Sequence, residues 1–125
     1  KGSWLNVKHG DCFTLETLLK SEIIYSANNA AYLVAKYIGK GDIEKFVALM
    51  NEKAQELGMT DTVFYTPAGL PTSMTGKPMD ISTAYDLYLM GRKASEDDRI
   101  KEWSSQLQLE LPNPNGDQVI YKNRN

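Results

Sequence analysis

The sequence contains a single cysteine, Cys12, and a single histidine, His9. One thiol cannot close an internal disulfide, and its presence leaves the redox compartment open. His9 and Cys12 lie close together in "HGDC", but no further histidine or cysteine exists to complete a zinc shell. The segment therefore reads as a loop. The same shortage weakens Cys12 as a nucleophile, since His9 is the one imidazole that could serve as its base. Positive charge is not in excess either: 14 Lys and Arg against 16 Asp and Glu give a net charge of −2. That balance argues against nucleic acid as a partner. No apolar run reaches the length of a membrane span, and there is no repeat or low-complexity tract. The chain begins at Lys1 rather than methionine, which points to an excised piece or a mature product; a missing signal peptide therefore says little.

What is present is ordinary for a globular protein. A chain of 125 residues, 42% hydrophobic and 24% charged, is expected to form one domain with a real core. Its expected parts are an extended lead-in over residues 1–13, a helical portion over 14–104 and a β-hairpin over 105–125. Thr14 is placed to cap a first helix, with Leu15, Leu18, Leu19 and Ile23 on one face. Ala30, Leu33, Val34, Tyr37 and Ile38 repeat that spacing in a second helix, which Gly39 stops. Asp42 opens a third, carrying Ile43, Phe46, Val47, Met50, Ala54 and Leu57 on one stripe up to Gly58. A long Gly-, Pro-, Ser- and Thr-rich stretch from Met59 to Asp80 follows, of the kind that packs as a functional loop.

Thr83 with Asp86 matches a capping box, so a fourth helix starts near Ser82 and runs through Met90. Asp97 and Asp98 begin a short charged helix reaching Trp103. Gln106–Leu111 then alternates strictly, residues 112–117 form a turn, and "QVIY" supplies a second strand. One hairpin is marginal by itself, and the N-terminal segment is the expected pairing partner. Tyr25, Tyr32, Tyr37 and Trp103 are expected to be core residues rather than ligand platforms.

The informative interruption is "IIYSANNAAYLVAKYIG", Ile23 to Gly39. Two apolar helices are separated by Ser26-Ala27-Asn28-Asn29. A bare S-x-N is most simply a cap and a turn. The alternative is that Ser26 and Asn28 face an active-site cleft, held rigidly by the apolar helices on either side.

Several stretches together carry a resemblance. "GSWLNVKHGDCFTLETLLKSEIIYSANNAAYLVAKYI", "FVALMNEKAQELGMTDTVFYTPAGL", "STAYDLYLMGR" and "VIYKNRN" follow, in order, the middle of a serine-type D-alanyl-D-alanine carboxypeptidase. That family comprises the low-molecular-weight penicillin-binding proteins of the β-lactamase/transpeptidase-like superfamily. The resemblance covers essentially the whole chain. It implies a mainly α fold with a terminal β-hairpin, namely the helical subdomain of the β-lactamase/transpeptidase-like fold with its sheet domain largely missing.

The implied chemistry uses three motifs, S-x-x-K, S-x-N and K-T-G. The serine of the first attacks the bond between two D-alanines of a peptidoglycan stem peptide, and water later hydrolyses the acyl-enzyme. β-Lactams acylate the same serine. Only the middle motif occurs here, as Ser26-Ala27-Asn28. By resemblance the Ser26 hydroxyl relays a proton towards the leaving amine, while Asn28 binds the substrate amide carbonyl and helps fix the motif lysine. No S-x-x-K and no K-T-G is present; "TGK" at Thr75–Lys77 has the wrong order. The expectation is that those groups lie before Lys1 and after Asn125, so that the isolated chain neither hydrolyses peptide nor binds penicillin covalently. No cofactor is implied. Apolar cut faces make self-association a further expectation, and the substrate places the parent protein outside the cytoplasmic membrane. A class A β-lactamase would need a glutamate in the loop after S-x-N, and "FYTPAGLP" offers no acid between Asp61 and Asp80. A non-catalytic helical binding or scaffold module, with Ser26 and Asn28 as caps, is the remaining alternative.

Overall fold

The computed structural model describes residues 2–112 and 116–123, which form six helices and one antiparallel hairpin. They group into two compact units: Lys1–Val34 with Asp98–Asn125, and Ala35–Asp97.

In the first unit, α1 spans Leu15–Tyr25. The Thr14 hydroxyl caps it by accepting from the Thr17 N–H at 3.1 Å, and Glu16 sits in the dipole-favoured first turn. Leu18 and Ile24 are buried, Ile24 completely, whereas Leu15 is exposed. The inward face is thus turned from the expected one towards Ser21 and Ile24. Ser21 tolerates complete burial because its hydroxyl donates to the Thr17 carbonyl at 2.7 Å.

Helix α2, Asn28–Ile38, departs further from expectation. Ala30, Ala31, Val34 and Ala35 are buried, while Leu33, Ile38 and above all Tyr37, 71% exposed, are not. Tyr37 is therefore not a core residue. Both faces of this helix are apolar, so spacing alone could not choose between them. The alanine face is the buried one, and small side chains let backbones approach closely.

The first unit is completed by α6, Asp98–Ser104, and by strands β1, Gln108–Pro112, and β2, Gln118–Lys122. Leu109 pairs with Tyr121 and Leu111 with Val119, and these four form the more buried face. The first strand begins two residues later than its alternation indicates. Asn123 accounts for the shift: its Nδ2 donates to the Ser104 and Gln106 carbonyls at 3.1 and 2.7 Å, and its N–H to the Leu107 carbonyl at 2.8 Å. Residues 113–115 of the expected turn lie outside the described residues. The N-terminal segment does not pair with the hairpin as expected. It forms a single parallel bridge, Ser3 to Ala27, and meets the hairpin where the Asn6 N–H donates to the Tyr121 hydroxyl at 3.2 Å. Leu5, Leu18, Ala27, Ala30 and Val34 make one core cluster, and Ile24, Trp103 and Leu109 another; Leu19, Leu111 and Tyr121 pack against both.

In the second unit, α3, Ile43–Glu56, is capped by Asp42, whose carboxylate accepts from the Glu44 and Lys45 N–H groups. Val47 and Ala54 are buried on the expected stripe. Before it, a β-carbon on Gly39 would come within 2.1 Å of the Asp42 carbonyl oxygen, so the turn out of α2 accepts glycine alone. The long stretch after α3 is packed. Asn51 grips the Phe64 backbone through both ends of its carboxamide, at 2.8 Å each, and Asp80 accepts from the Tyr65 and Thr66 N–H groups. A short α4, Thr72–Thr75, and a Val63–Ile81 bridge lie within this region.

Helix α5 runs Ala84–Ala94, past the expected end at Met90. Thr83 caps it as expected, but the Asp86 carboxylate does not reach back. It is buried and accepts instead from the Asp61 N–H at 2.9 Å and the Thr62 hydroxyl at 2.7 Å.

Candidate functional site at the α1–α2 turn

The turn at Ser26-Ala27 reverses the chain between α1 and α2. Ser26 takes the left-handed conformation, φ 57° and ψ 41°, as the C-cap of α1, and its N–H closes the helix on the Glu22 carbonyl at 2.9 Å. Among non-glycine residues this conformation is uncommon and is favoured mainly by asparagine and aspartate. Ser26 is exposed, while Ala27, next along, is fully buried. The turn thus points a serine outward from a point anchored in the core.

Asn28 is half-buried. Its N–H and its Nδ2 both donate to the Ser3 carbonyl, at 3.0 and 3.1 Å. A carboxamide fixed at one donor keeps its second Nδ2 hydrogen and its oxygen for another partner. Asn29, which the sequence reading passed over, makes the firmer anchor. Its Oδ1 accepts from the Leu5 N–H and its Nδ2 donates to the Leu5 carbonyl, both at 2.9 Å. The signal for it was present: asparagine is a weak helix former, and a second one inside the first turn of α2 implies a side chain with other work.

The structure therefore brings Ser26 and Asn28 together on one turn, against the segment Gly2–Leu5. Glu22 lies one turn back along α1, and burial pushes its carboxyl above the usual range. A cavity of about 300 Å³ in this unit is lined by Leu5, Val7, Phe13, Leu111, Val119 and Tyr121 among others, but by neither Ser26 nor Asn28. Among the described residues no group of three or more His, Cys, Asp or Glu is arranged to hold a metal ion, and Cys12 is exposed.

Comparison with known proteins assigns the chain. The family model described as D-alanyl-D-alanine carboxypeptidase matches residues 1–125. The D-alanyl-D-alanine carboxypeptidase DacC of Escherichia coli is 38% identical over 91 residues, which cover 73% of this chain and 21% of that protein. A D-alanyl-D-alanine carboxypeptidase structure from Mycobacterium tuberculosis superposes with a TM-score of 0.88 at 30% identity, covering all of this chain and 45% of that one. Penicillin binding protein 6B from Escherichia coli gives a TM-score of 0.82 at 31% identity, over 98% of this chain and 36% of its own. The fold is accordingly transpeptidase-like. The match spans between 17% and 38% of the length of seven curated relatives. Matched from its first residue to its last, the chain belongs to the D-alanyl-D-alanine carboxypeptidase family.

Proposed function

We propose that this chain is the S-x-N-bearing portion of a serine-type D-alanyl-D-alanine carboxypeptidase that trims peptidoglycan stem peptides and is acylated by β-lactams. The observation that carries this reading is the turn itself: an exposed Ser26 in a left-handed conformation, followed by a tethered Asn28, in a chain of this family. In the proposed reaction a serine hydroxyl from an S-x-x-K motif adds to the carbonyl between the two D-alanines. The amide C–N bond breaks, and the leaving amine takes a proton passed through the Ser26 hydroxyl. Asn28 donates its remaining Nδ2 hydrogen to the substrate amide carbonyl, and its oxygen accepts from the motif lysine. Water then cleaves the ester and restores the serine. The absence of an acid from the loop between Asp61 and Asp80 favours a slowly deacylating penicillin target over a β-lactamase.

The sequence of the chain contains neither S-x-x-K nor K-T-G. Nucleophile and base act as a unit, so the isolated 125-residue chain is expected to be inert. The full polypeptide acts on peptidoglycan and is placed outside the cytoplasmic membrane; among the described residues no helix is long and apolar enough to cross one. Self-association of the chain is supported by exposed Tyr85, Leu87 and Tyr88 on α5.

A fluorescent penicillin tests the reading on two samples. The full-length gene product should become labelled, and Ser26→Ala and Asn28→Ala should each slow its labelling by at least tenfold. The isolated chain should stay dark. Covalent labelling of the isolated chain, or unimpaired labelling of both variants, would overturn the assignment.

A further inference from the structure

We propose that Gly2 is a positioning residue for the Asn28 carboxamide, acting through the β-carbon it lacks. The inference rests on the function proposed for Asn28 and adds a residue to it. A β-carbon built on Gly2 would lie 2.9 Å from Asn28 Nδ2, closer than real β-carbons come to a nitrogen, and 3.2 Å from Trp4 Nε1. The demand for glycine comes from the space that the asparagine side chain occupies.

The neighbours of Gly2 leave little freedom for relief. Ser3 is bridged to Ala27, its carbonyl accepts from the N–H and the Nδ2 of Asn28, and two residues on, Leu5 is gripped by both ends of Asn29. The segment Ser3–Leu5 is thus a backbone platform fixed to the turn by four hydrogen bonds of named partners, two on Ser3 and two on Leu5. An added methyl at position 2 would meet the Asn28 carboxamide beside a platform held at Ser3 and Leu5. The group it displaces is the Asn28 carboxamide, whose hold on the Ser3 carbonyl is one Nδ2 hydrogen bond at 3.1 Å. A misplacement of about 1 Å in a positioning group can cost on the order of 100-fold in rate. Gly2 makes no contact with the reacting atoms and is not a catalytic residue.

The test is a double-mutant cycle in the full-length gene product, with Gly2→Ala, Asn28→Ala and the pair, read as penicillin acylation rate and as melting temperature. Gly2→Ala is expected to slow acylation at least tenfold. In the Asn28→Ala background, where the carboxamide has been removed, the same substitution should have no further effect on rate. The melting temperature should follow the same pattern, falling with Gly2→Ala alone and recovering in the double variant. A merely structural glycine would lower both readouts equally in either background. If Gly2→Ala does not fold, recovery of folding in the double variant supports the proposal, and failure of both overturns it. Additive losses, or an unimpaired Gly2→Ala beside a crippled Asn28→Ala, overturn the positioning role alone. An unimpaired Asn28→Ala overturns the proposed function and this inference with it.

Discussion

At Ser26 the backbone adopts a conformation that glycine would accept without strain. A β-carbon in the left-handed region costs about 1 kcal/mol, and the serine is retained nonetheless. Ser26→Gly should raise stability by about 0.5–1 kcal/mol in chemical denaturation while removing acylation of the full-length protein. A stabilised variant that still acylated normally would separate the hydroxyl from the chemistry. Thr66 presents the opposite case. Its hydroxyl is buried with no hydrogen-bond partner among the described residues. Replacing it with the similarly shaped valine removes an orphaned polar group, and Thr66→Val should stabilise the protein by about 1 kcal/mol.

Glu22 makes a pH-dependent contribution whose sign follows from its environment. Burial raises its folded pKa above the unfolded one, so the folded chain holds the proton more tightly. The stability linked to that proton is fully present below the unfolded value and is lost as pH rises through the higher, folded value. Glu22→Gln should flatten this fall and leave the variant more stable than the parent at neutral pH, as melting temperatures taken from acid to neutral pH would show.

Among the elements, α1 and α2 differ in how much their residues disclosed. The caps were plain, because Thr14, Asp42 and Thr83 each satisfy helix N–H groups with a side chain close in sequence. The stripe of α3 was plain too, since its opposite face is charged. On α2 Ala30 and Val34 are buried as their spacing indicates, but the burial of Ala31 and Ala35 in place of Leu33 and Tyr37 was hidden, because tertiary packing chose between two apolar faces. The capping box at Thr83 was half legible: Asp86 is claimed by Asp61 and Thr62, partners more than twenty residues away. For the turn, the spacing of Ser26 and Asn28 gave only a cap and a turn, and the resemblance singled them out as candidate site residues. The anchoring of Asn28 to Ser3 and of Asn29 to Leu5 was not legible, since no local pattern links the two segments. The depth of α1 is checkable through Ile24, which is fully buried and packs with Trp103 and Leu109. Ile24→Ala should cost about 2–5 kcal/mol by urea denaturation.

Taken whole, the molecule carries its candidate site in a unit assembled from residues 1–34 and 98–125, and residues 35–97 form a unit of their own. The hairpin supplies Leu109, Leu111 and Tyr121 to the core clusters of the first. Deleting residues 105–125 should therefore expose the amides of α1 to hydrogen exchange while those of α3 and α5 keep their protection. Tyr121 is one of the residues that tie the first unit's two stretches together. Its ring centroid lies 4.9 Å from that of Tyr25, and its hydroxyl accepts from Asn6 across 115 positions of sequence. Such a contact closes a long loop, and loop closure is an entropic toll met before the contact returns anything. On the ribosome, α1 and the serine turn emerge ahead of the hairpin, so the ring that packs on Tyr25 reaches it only after the residues between them have been made. The packing beneath the serine turn is therefore finished well after the turn itself has been made, once β2 has followed.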